Sequence, residues 1–226
     1  MNYEINVCIV VLDWWKFVPF AIMRLYGGKI LVDFDSSMTK ENLGRAFAGE
    51  CQDGAKYQFL GKLAMNEGYA YMQSIFKTHA KNEMAHAKRF YELMSEHSSN
   101  PTKNMEICGG YSFASGTLLE CIKNTIAVEK SQSDVVYPKF ESVAREEGFE
   151  DIADAFKFAG TVENCHKLML EQIYTKLKGK KLYKSPTQVK WKCSNCGFEH
   201  TSKSAWNECP SCLSPQGYVE IQIDMD

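Results

Sequence analysis

The amino-acid sequence predicts a mainly α-helical protein: four antiparallel helices packed as a bundle, followed by a small module built on four cysteines. Three observations carry that expectation. Glu83-Met-Ala-His86 and Glu163-Asn-Cys-His166 each set a carboxylate and an imidazole three residues apart, which on a helix is one face and one turn. Each is preceded by a helical stretch with an unpaired glutamate, Glu50 lying 33 positions before Glu83 and Glu129 lying 34 before Glu163, so one unit occurs twice. Cys193-Ser-Asn-Cys196 and Cys209-Pro-Ser-Cys212 are separated by twelve residues near the C-terminus.

At 226 residues the chain is long enough for a real core and one or two domains. A net charge of −2 leaves no electrostatic footprint for nucleic acid. Of nine cysteines, four fall in the paired motifs; Cys8, Cys51, Cys108, Cys121 and Cys165 are scattered. That odd remainder, with no secretion signal, points to a reducing cytoplasm and away from a disulfide framework.

Residues 1–37 read as an N-terminal extension that does not belong to the native protein. The apolar stretches 5–12 and 17–26 are broken by Asp13, Lys16, Pro19 and Arg24, too short for a spanning helix, which needs about 20 apolar residues. The other reading is a membrane or partner anchor. Gly27-Gly28-Lys29 is consistent with a translated purine-rich ribosome-binding sequence, with the start near Leu31, Val32 or Met38. The intact mass of protein made from its own gene separates the two.

The bundle is expected over 38–178. Its first helix starts at Thr39 as N-cap, with Asn42 where a capping box would want Glu or Gln. Leu43, Ala46, Phe47, Tyr57, Leu60 and Ala64 make its core stripe, and Glu50 lies on that stripe. Gly44, Gly49, Gly54 and Gly61 lower its helix propensity, a loss offset by close approach of a neighbouring helix. The second helix runs from Tyr69 to His97 and stops before Ser98-Ser99-Asn100-Pro101. A loop over 98–115 leads to a third helix from Ser115 to Glu147, in which Pro138 should cause a kink or interrupt one hydrogen bond and which Gly148 should close. The fourth runs from Glu150 to Leu177, where Lys176, Lys178, Lys180 and Lys181 suit the helix C-terminus rather than a nucleic acid. Residues 179–188 read as a linker and 189–226 as the cysteine module.

Four glutamates and two neutral imidazoles carry −4, which two divalent ions, or an oxo-bridged diferric pair, would balance. Buried together without such a partner the carboxylates would be forced to protonate. The pattern is that of a di-iron or di-manganese carboxylate bundle. Four thiolates on two knuckles form a tetrahedral sulfur site for iron or zinc, and Gly197 permits the tight turn after Cys196. A module of about forty residues needs such a staple to fold.

Ala46-Phe-Ala-Gly-Glu50, Asn82-Glu-Met-Ala-His86-Ala-Lys88, Tyr137-Pro138, Ala144-Arg-Glu-Glu-Gly148 and Val162-Glu-Asn-Cys-His166 resemble the rubrerythrins, and Trp191-Lys-Cys193 through Cys212 resembles their rubredoxin-type domain. The resemblance runs from about Val32 to the end. It implies a ferritin-like four-helix bundle followed by a rubredoxin-like four-cysteine metal domain. It also implies a cytoplasmic non-haem di-iron peroxidase that reduces hydrogen peroxide to water as a homodimer or larger assembly, with no membrane or nucleic-acid partner. Electrons would arrive from an NAD(P)H-dependent reductase or a rubredoxin and pass through iron held by Cys193, Cys196, Cys209 and Cys212; zinc is the other candidate there. By the same resemblance the di-iron ligands are Glu50, Glu83, His86, Glu129, Glu163 and His166. The family's further carboxylate, which exchanges with a histidine on one iron as the redox state changes, falls at Gln132, a weaker neutral donor. Tyr57 and Tyr137 occupy family tyrosine positions two turns beyond Glu50 and Glu129, where they would bond ligating carboxylates. Cys51 and Cys165 adjoin ligands in sequence but point elsewhere on the helix. His79, His97 and His200 read as surface or locally hydrogen-bonded residues. No Gly-x-Gly-x-x-Gly fingerprint for nicotinamide occurs. The rival functions are a ferroxidase or iron-handling protein on the same bundle and, further off, a zinc-stapled interaction module.

Overall fold

The structure, a computed structural model, describes residues 23–26 and 29–224. The apolar stretch 5–12, most of 17–26 and Gly27-Gly28 lie outside them. A short hairpin precedes the bundle: β1 (Met23–Tyr26) pairs antiparallel with β2 (Lys29–Val32).

The first long helix, α1, spans Met38–Asn66. Its N-cap is Ser37, not Thr39: the Ser37 hydroxyl accepts from the Lys40 N–H at 3.0 Å. Thr39, inside the first turn, donates its N–H and hydroxyl to Glu147 at 2.8 and 2.5 Å, and the Met38 N–H reaches the same carboxylate at 3.0 Å. The orphan donors of the first turn are thus satisfied by a residue 108 positions away, which no local pattern reveals.

Helix α2 spans Ala70–His97 and packs against α1. Cβ atoms on Gly54 and Gly61 would sit 3.5 Å from the Ala80 and Gln73 carbonyl oxygens of α2, so these two permit close approach of the helices, whereas Gly44 and Gly49 face Ile107 and Tyr111 of the loop that follows α2. Helix α3 (Leu118–Ser131) starts at Thr117, which forms a capping box with Glu120. The regular α-helical bonding is interrupted just before Pro138. A π-helical segment, Gln132–Val136, intervenes, with the Tyr137 N–H bonded to the Gln132 carbonyl, and α4 (Tyr137–Glu147) follows with Pro138 in its first turn. Gly148, at φ +90°, closes α4 in the left-handed conformation, and α5 (Glu150–Lys178) completes the bundle. No described helix is long and apolar enough to cross a membrane.

The bundle interior has two apolar halves. One contains Phe34, Leu43, Phe90, Leu93, Tyr137, Ile152 and Phe156; the other contains Tyr57, Leu60, Met72, Phe76, Ile122, Leu170 and Ile173. Along α1, α2 and α5 the sequence passes from one half to the other through Glu50, Glu83–His86 and Glu163–His166 respectively. A polar layer therefore lies across the middle of the bundle, sealed by hydrocarbon above and below.

Strand β3 (Lys184–Lys192) begins inside the stretch read as a linker and pairs antiparallel with β4 (Glu199–Ser204). This module is docked on the bundle. Leu182 and Ile221 join the second apolar half, and Gln172 of α5 exchanges hydrogen bonds with the Asp224 backbone at 2.5 and 2.8 Å. Gly217 lies against the turn between α1 and α2, where an added Cβ would fall 1.7 Å from the Gly68 carbonyl oxygen. Both partners are backbone, so Gly217→Ala has to push the module away from the bundle. We expect a loss of about 1–3 kcal/mol in thermal unfolding and faster proteolytic cleavage near residues 179–188, with the helical content of the bundle retained.

Candidate metal centres

Glu50 on α1, Glu83 on α2, Glu129 on α3 and Glu163 on α5 are each 1% exposed. Helical spacing puts each on the inward stripe of its helix, and the antiparallel packing brings all four to one level. The histidine partners lie one turn along α2 and α5. The donors fall into two groups, Glu50, Glu83, His86 and Glu163 in one and Glu83, Glu129, Glu163 and His166 in the other; within each, ligand atoms lie within 4.8 Å of one another.

The two groups share Glu83 and Glu163, and the contacts show how. His86 Nδ1 lies 3.2 Å from Glu163 Oε1 and 3.5 Å from Glu83 Oε2, while His166 Nδ1 lies 3.0 Å from Glu83 Oε1 and 3.1 Å from Glu163 Oε2. Each of these carboxylates turns one oxygen to each imidazole. Glu50 Oε2 sits 3.2 Å from His86 Nδ1, and Glu129 Oε2 sits 3.9 Å from His166 Nδ1. A pair of metal ions would therefore share Glu83 and Glu163, with Glu50 and His86 completing the donors of one and Glu129 and His166 those of the other.

Hydrogen bonding does not satisfy this cluster. Both oxygens of Glu83, Glu129 Oε2 and Glu163 Oε1 are buried with no hydrogen-bond partner. Burial pushes the Glu50 and Glu129 carboxyls well above the usual range. Burial also opposes charge on the imidazoles, but Glu163 and its neighbours prevail and hold His86 at about 12 and His166 at about 10. Protons here answer a demand for positive charge among buried carboxylates, and a pair of metal ions answers the same demand with better geometry. The donor set, oxygen-rich with one imidazole per position, fits a di-iron centre.

The two tyrosines bond across the site. Tyr57, on α1, donates to Glu129 Oε1 of α3 at 2.5 Å, and Tyr137, on α4, donates to Glu50 Oε1 of α1. Each therefore holds a carboxylate that belongs to one donor group only, Tyr57 holding Glu129 and Tyr137 holding Glu50. Burial, with the Glu129 charge, keeps the Tyr57 phenol protonated and able to donate. The Gln132 amide donates to Asp53 Oδ2 at 2.8 Å. Cys51 and Cys165 stand outside both groups.

His79 is not at the surface: its Nε2 lies 3.2 Å from Met169 Sδ of α5, across the bundle. It is 3% exposed and stacks on His166 with ring centroids 4.2 Å apart, and Tyr57 packs edge-on against it at 5.0 Å. The signal was present in the spacing: Met72, Phe76, His79, Glu83, His86, Phe90 and Leu93 form one stripe at steps of three and four. His97 does make a hydrogen bond, to Asp151 at 2.8 Å, and His200 is exposed on β4. Asn82, beside Glu83, places its side-chain amide 3.3 Å from His166 Nε2 and fixes the imidazole from behind.

The four cysteines of the module form a second group. Sulfur separations are 3.8 Å for Cys193–Cys212 and 3.7 Å for Cys196–Cys209. A tetrahedron of thiolates about 2.3 Å from a central metal has edges of about 3.8 Å, so the site is already sized for one ion. The two knuckles match: the Gly197 N–H bonds the Cys193 carbonyl at 2.8 Å and the Leu213 N–H bonds the Cys209 carbonyl at 2.9 Å. Gly197 and Leu213 both adopt positive φ, +77° and +59°, and only Leu213 carries the side-chain penalty of that conformation.

Residues 41–174 match the family profile described as Rubrerythrin, and residues 191–220 match that described as Rubrerythrin, rubredoxin-like domain. The chain is 34% identical to the rubrerythrin of Clostridium perfringens over 183 residues, covering 81% of this chain and 93% of that protein. It is 36% identical to rubrerythrin-1 of Clostridium acetobutylicum over 186 residues, with the same coverage. Among solved structures it is similar to nigerythrin in its fully reduced, all-ferrous state, with 25% identity and a TM-score of 0.55, covering 81% of this chain and 86% of that one.

Proposed function

Because this chain belongs to the rubrerythrin family, with a ferritin-like di-iron bundle and a rubredoxin-like domain, we propose that it is a peroxidase that reduces hydrogen peroxide to water. Cys193, Cys196, Cys209 and Cys212 would hold the iron that supplies one-electron transfer to the bundle. The observation that carries this reading is the union, in one chain, of two donor groups that share Glu83 and Glu163 with a separate group of four cysteines. A ferroxidase or storage bundle has no use for the second site as an electron relay.

The balance is two protons and two electrons consumed per hydrogen peroxide, with the O–O bond broken and two waters formed. When bound, the iron pair supplies both electrons and the Lewis acidity. The protein contributes position and exclusion. Tyr57 and Tyr137 hold the terminal carboxylates Glu129 and Glu50, so that neither turns away from its ion. The hydrocarbon on either side of the polar layer keeps bulk water out. His86, with its side chain 18% exposed, is the donor nearest the surface. Re-reduction draws on a separate NAD(P)H-dependent reductase or a rubredoxin, and a homodimer or larger assembly would allow one subunit's relay to serve another's bundle. The free thiols of Cys51, Cys108, Cys121 and Cys165 are in keeping with a cytoplasmic setting.

Metal analysis with a visible spectrum, on protein purified anaerobically from iron-replete cells, tests the reading. We expect about three irons per chain and a red colour that a reductant bleaches and hydrogen peroxide restores. Zinc in the four-cysteine site, with two irons in the bundle, would instead favour iron handling.

A further inference from the structure

A hollow beside the metal centre has no role in reducing hydrogen peroxide. The segment that follows α2 runs back along α1 as a strap. Met105 and Ile107 lie against Gly44, Arg45 Nε donates to the Cys108 carbonyl at 2.9 Å, and the Tyr111 hydroxyl donates to the Arg45 carbonyl at 3.2 Å. Under the strap, between α1 and α3, lies a cavity of about 490 Å³. Tyr111 and Phe140 border it with Ala46, Ala127, Val128 and Val136, so its walls are chiefly apolar and aromatic. A second cavity, of about 270 Å³, continues it toward Phe59, Leu60 and Leu63. The two share Asp53, Lys56, Ser112, Asn124 and Val128, and so form one trough.

The inner end of the trough meets the ligand layer. Tyr137, which donates to Glu50, forms part of its wall, and so does the hydrogen-bonded pair Asp53–Gln132, each one turn beyond a ligand glutamate. Gln132 and Val136 begin and end the π-helical segment, whose wider turn shapes this wall. Volume and charge say what fits. A water molecule takes about 30 Å³ of the liquid and hydrogen peroxide roughly twice that, so the trough far exceeds what hydrogen peroxide needs. Sites for small organic molecules measure about 300–1,000 Å³ and are mostly apolar, with a few polar groups that fix orientation. The cations at the edges are already paired, Lys56 with Asp53 at 3.1 Å and Arg45 with Glu41 at 2.8 Å, so neither recruits an anion. A neutral molecule with an apolar body and a small polar head matches this trough, and at a peroxide-reducing centre that head is an O–O–H group.

We propose that the trough binds the organic group of an alkyl or aryl hydroperoxide, which makes such compounds substrates alongside hydrogen peroxide. The proposal rests on the peroxidase reading and names a further substrate class for the same centre. The organic body lies between Tyr111 and Phe140, and the O–O–H head points to Tyr137 and Gln132. The Asp53–Gln132 bond joins two side chains, so parting it opens the wall toward the ligand layer without moving either helix. The chemistry balances as for hydrogen peroxide. The O–O bond breaks, two electrons (one from each ferrous ion) and two protons are consumed, and one alcohol and one water leave.

The test is a crystal structure of the iron-loaded protein soaked with cumyl alcohol, the product that cumene hydroperoxide would leave, together with kcat/KM for cumene hydroperoxide and for hydrogen peroxide in wild type and Ala127→Trp. The expected structure has the phenyl ring of the alcohol between Tyr111 and Phe140. Ala127 is on the exposed rim, so an indole there fills the trough without entering the bundle core. It should lower the ratio of the two kcat/KM values, organic over hydrogen peroxide, by about 10–200-fold, the worth of a small misfit in an apolar pocket. A trough without the alcohol overturns the proposal, as does a ratio that Ala127→Trp leaves unchanged. The wild-type structure and rates decide the matter even if the variant does not fold. Turnover of hydrogen peroxide with none of cumene hydroperoxide overturns the proposal and leaves the peroxidase reading intact. An iron-loaded protein that reduces neither peroxide removes the peroxidase reading and the proposal with it.

Discussion

Replacing Glu163 with alanine will empty both ion positions of the bundle at once, taking its metal content from two ions per chain to none. The reason is geometric. Glu163 turns Oε1 toward His86 and Oε2 toward His166, so each position loses a ligand. Glu83 has the same double contact, and Glu83→Ala should behave alike. Glu50 and Glu129 each serve one position only. Glu50→Ala should release the ion held with His86 and leave the other bound, and Glu129→Ala should do the reverse. Loss of a partner outside the ligand set already costs about 10–100-fold in metal affinity, so loss of a bridging ligand should exceed about a hundredfold at both positions. Metal analysis after gel filtration, with circular dichroism to show that the helices persist, reads this directly. The fold should survive, because Glu163→Ala removes one of four mutually repelling buried carboxylates. Two ions retained in Glu163→Ala would contradict the bridged arrangement.

Stripping the four-cysteine metal, by Cys209→Ser or by a strong chelator, will unfold the C-terminal module while the bundle stays helical. Metal binding to small thiolate sites of this kind contributes an apparent ~10–16 kcal/mol, comparable to or larger than the stability of an entire domain. The module has little else: its two strands are short, and its buried side chains are chiefly Trp191, Cys193, Cys209 and Val219. Trp191 is fully buried and donates its indole N–H to the Ser202 carbonyl at 3.1 Å, so its fluorescence should shift to longer wavelength on unfolding. The bundle will feel the loss. Ile221, 6% exposed in the bundle's second apolar half, would return to water at a cost of about 2 kcal/mol. An unchanged tryptophan spectrum after complete metal removal would show that the module folds on its own packing.

Much of the fold was legible because its signals are local. The stripe on α1, the stop at Ser98–Pro101 and the glycine after Glu147 each act within a turn or two of helix. The differences arose where a distant group took over. The start of α1 moved to Ser37 because Glu147, from the far end of α4, took up the donors of Thr39 and Met38. The interruption expected at Pro138 takes the form of a π-helical segment directly before it, whose type the sequence did not specify. Strand β3 reached back to Lys184 because β4 was there to pair with it.

The sequence by itself determined the chemistry available: four glutamates and two histidines at helical spacing, and four cysteines on two knuckles. Those patterns are set by the 3.6-residue period and by the reach of a single turn, which hold wherever the helix is later placed. Only the tertiary structure decided how the groups meet. It selected Glu83 and Glu163 as the shared carboxylates. It crossed the tyrosines, giving Glu129 to Tyr57 and Glu50 to Tyr137, stacked His79 on His166, and set Asp53 against Gln132. Each of these depends on the rotation and depth of one helix against another. Those are fixed by the sum of many side-chain contacts across the bundle, with no counterpart in the spacing along any one helix.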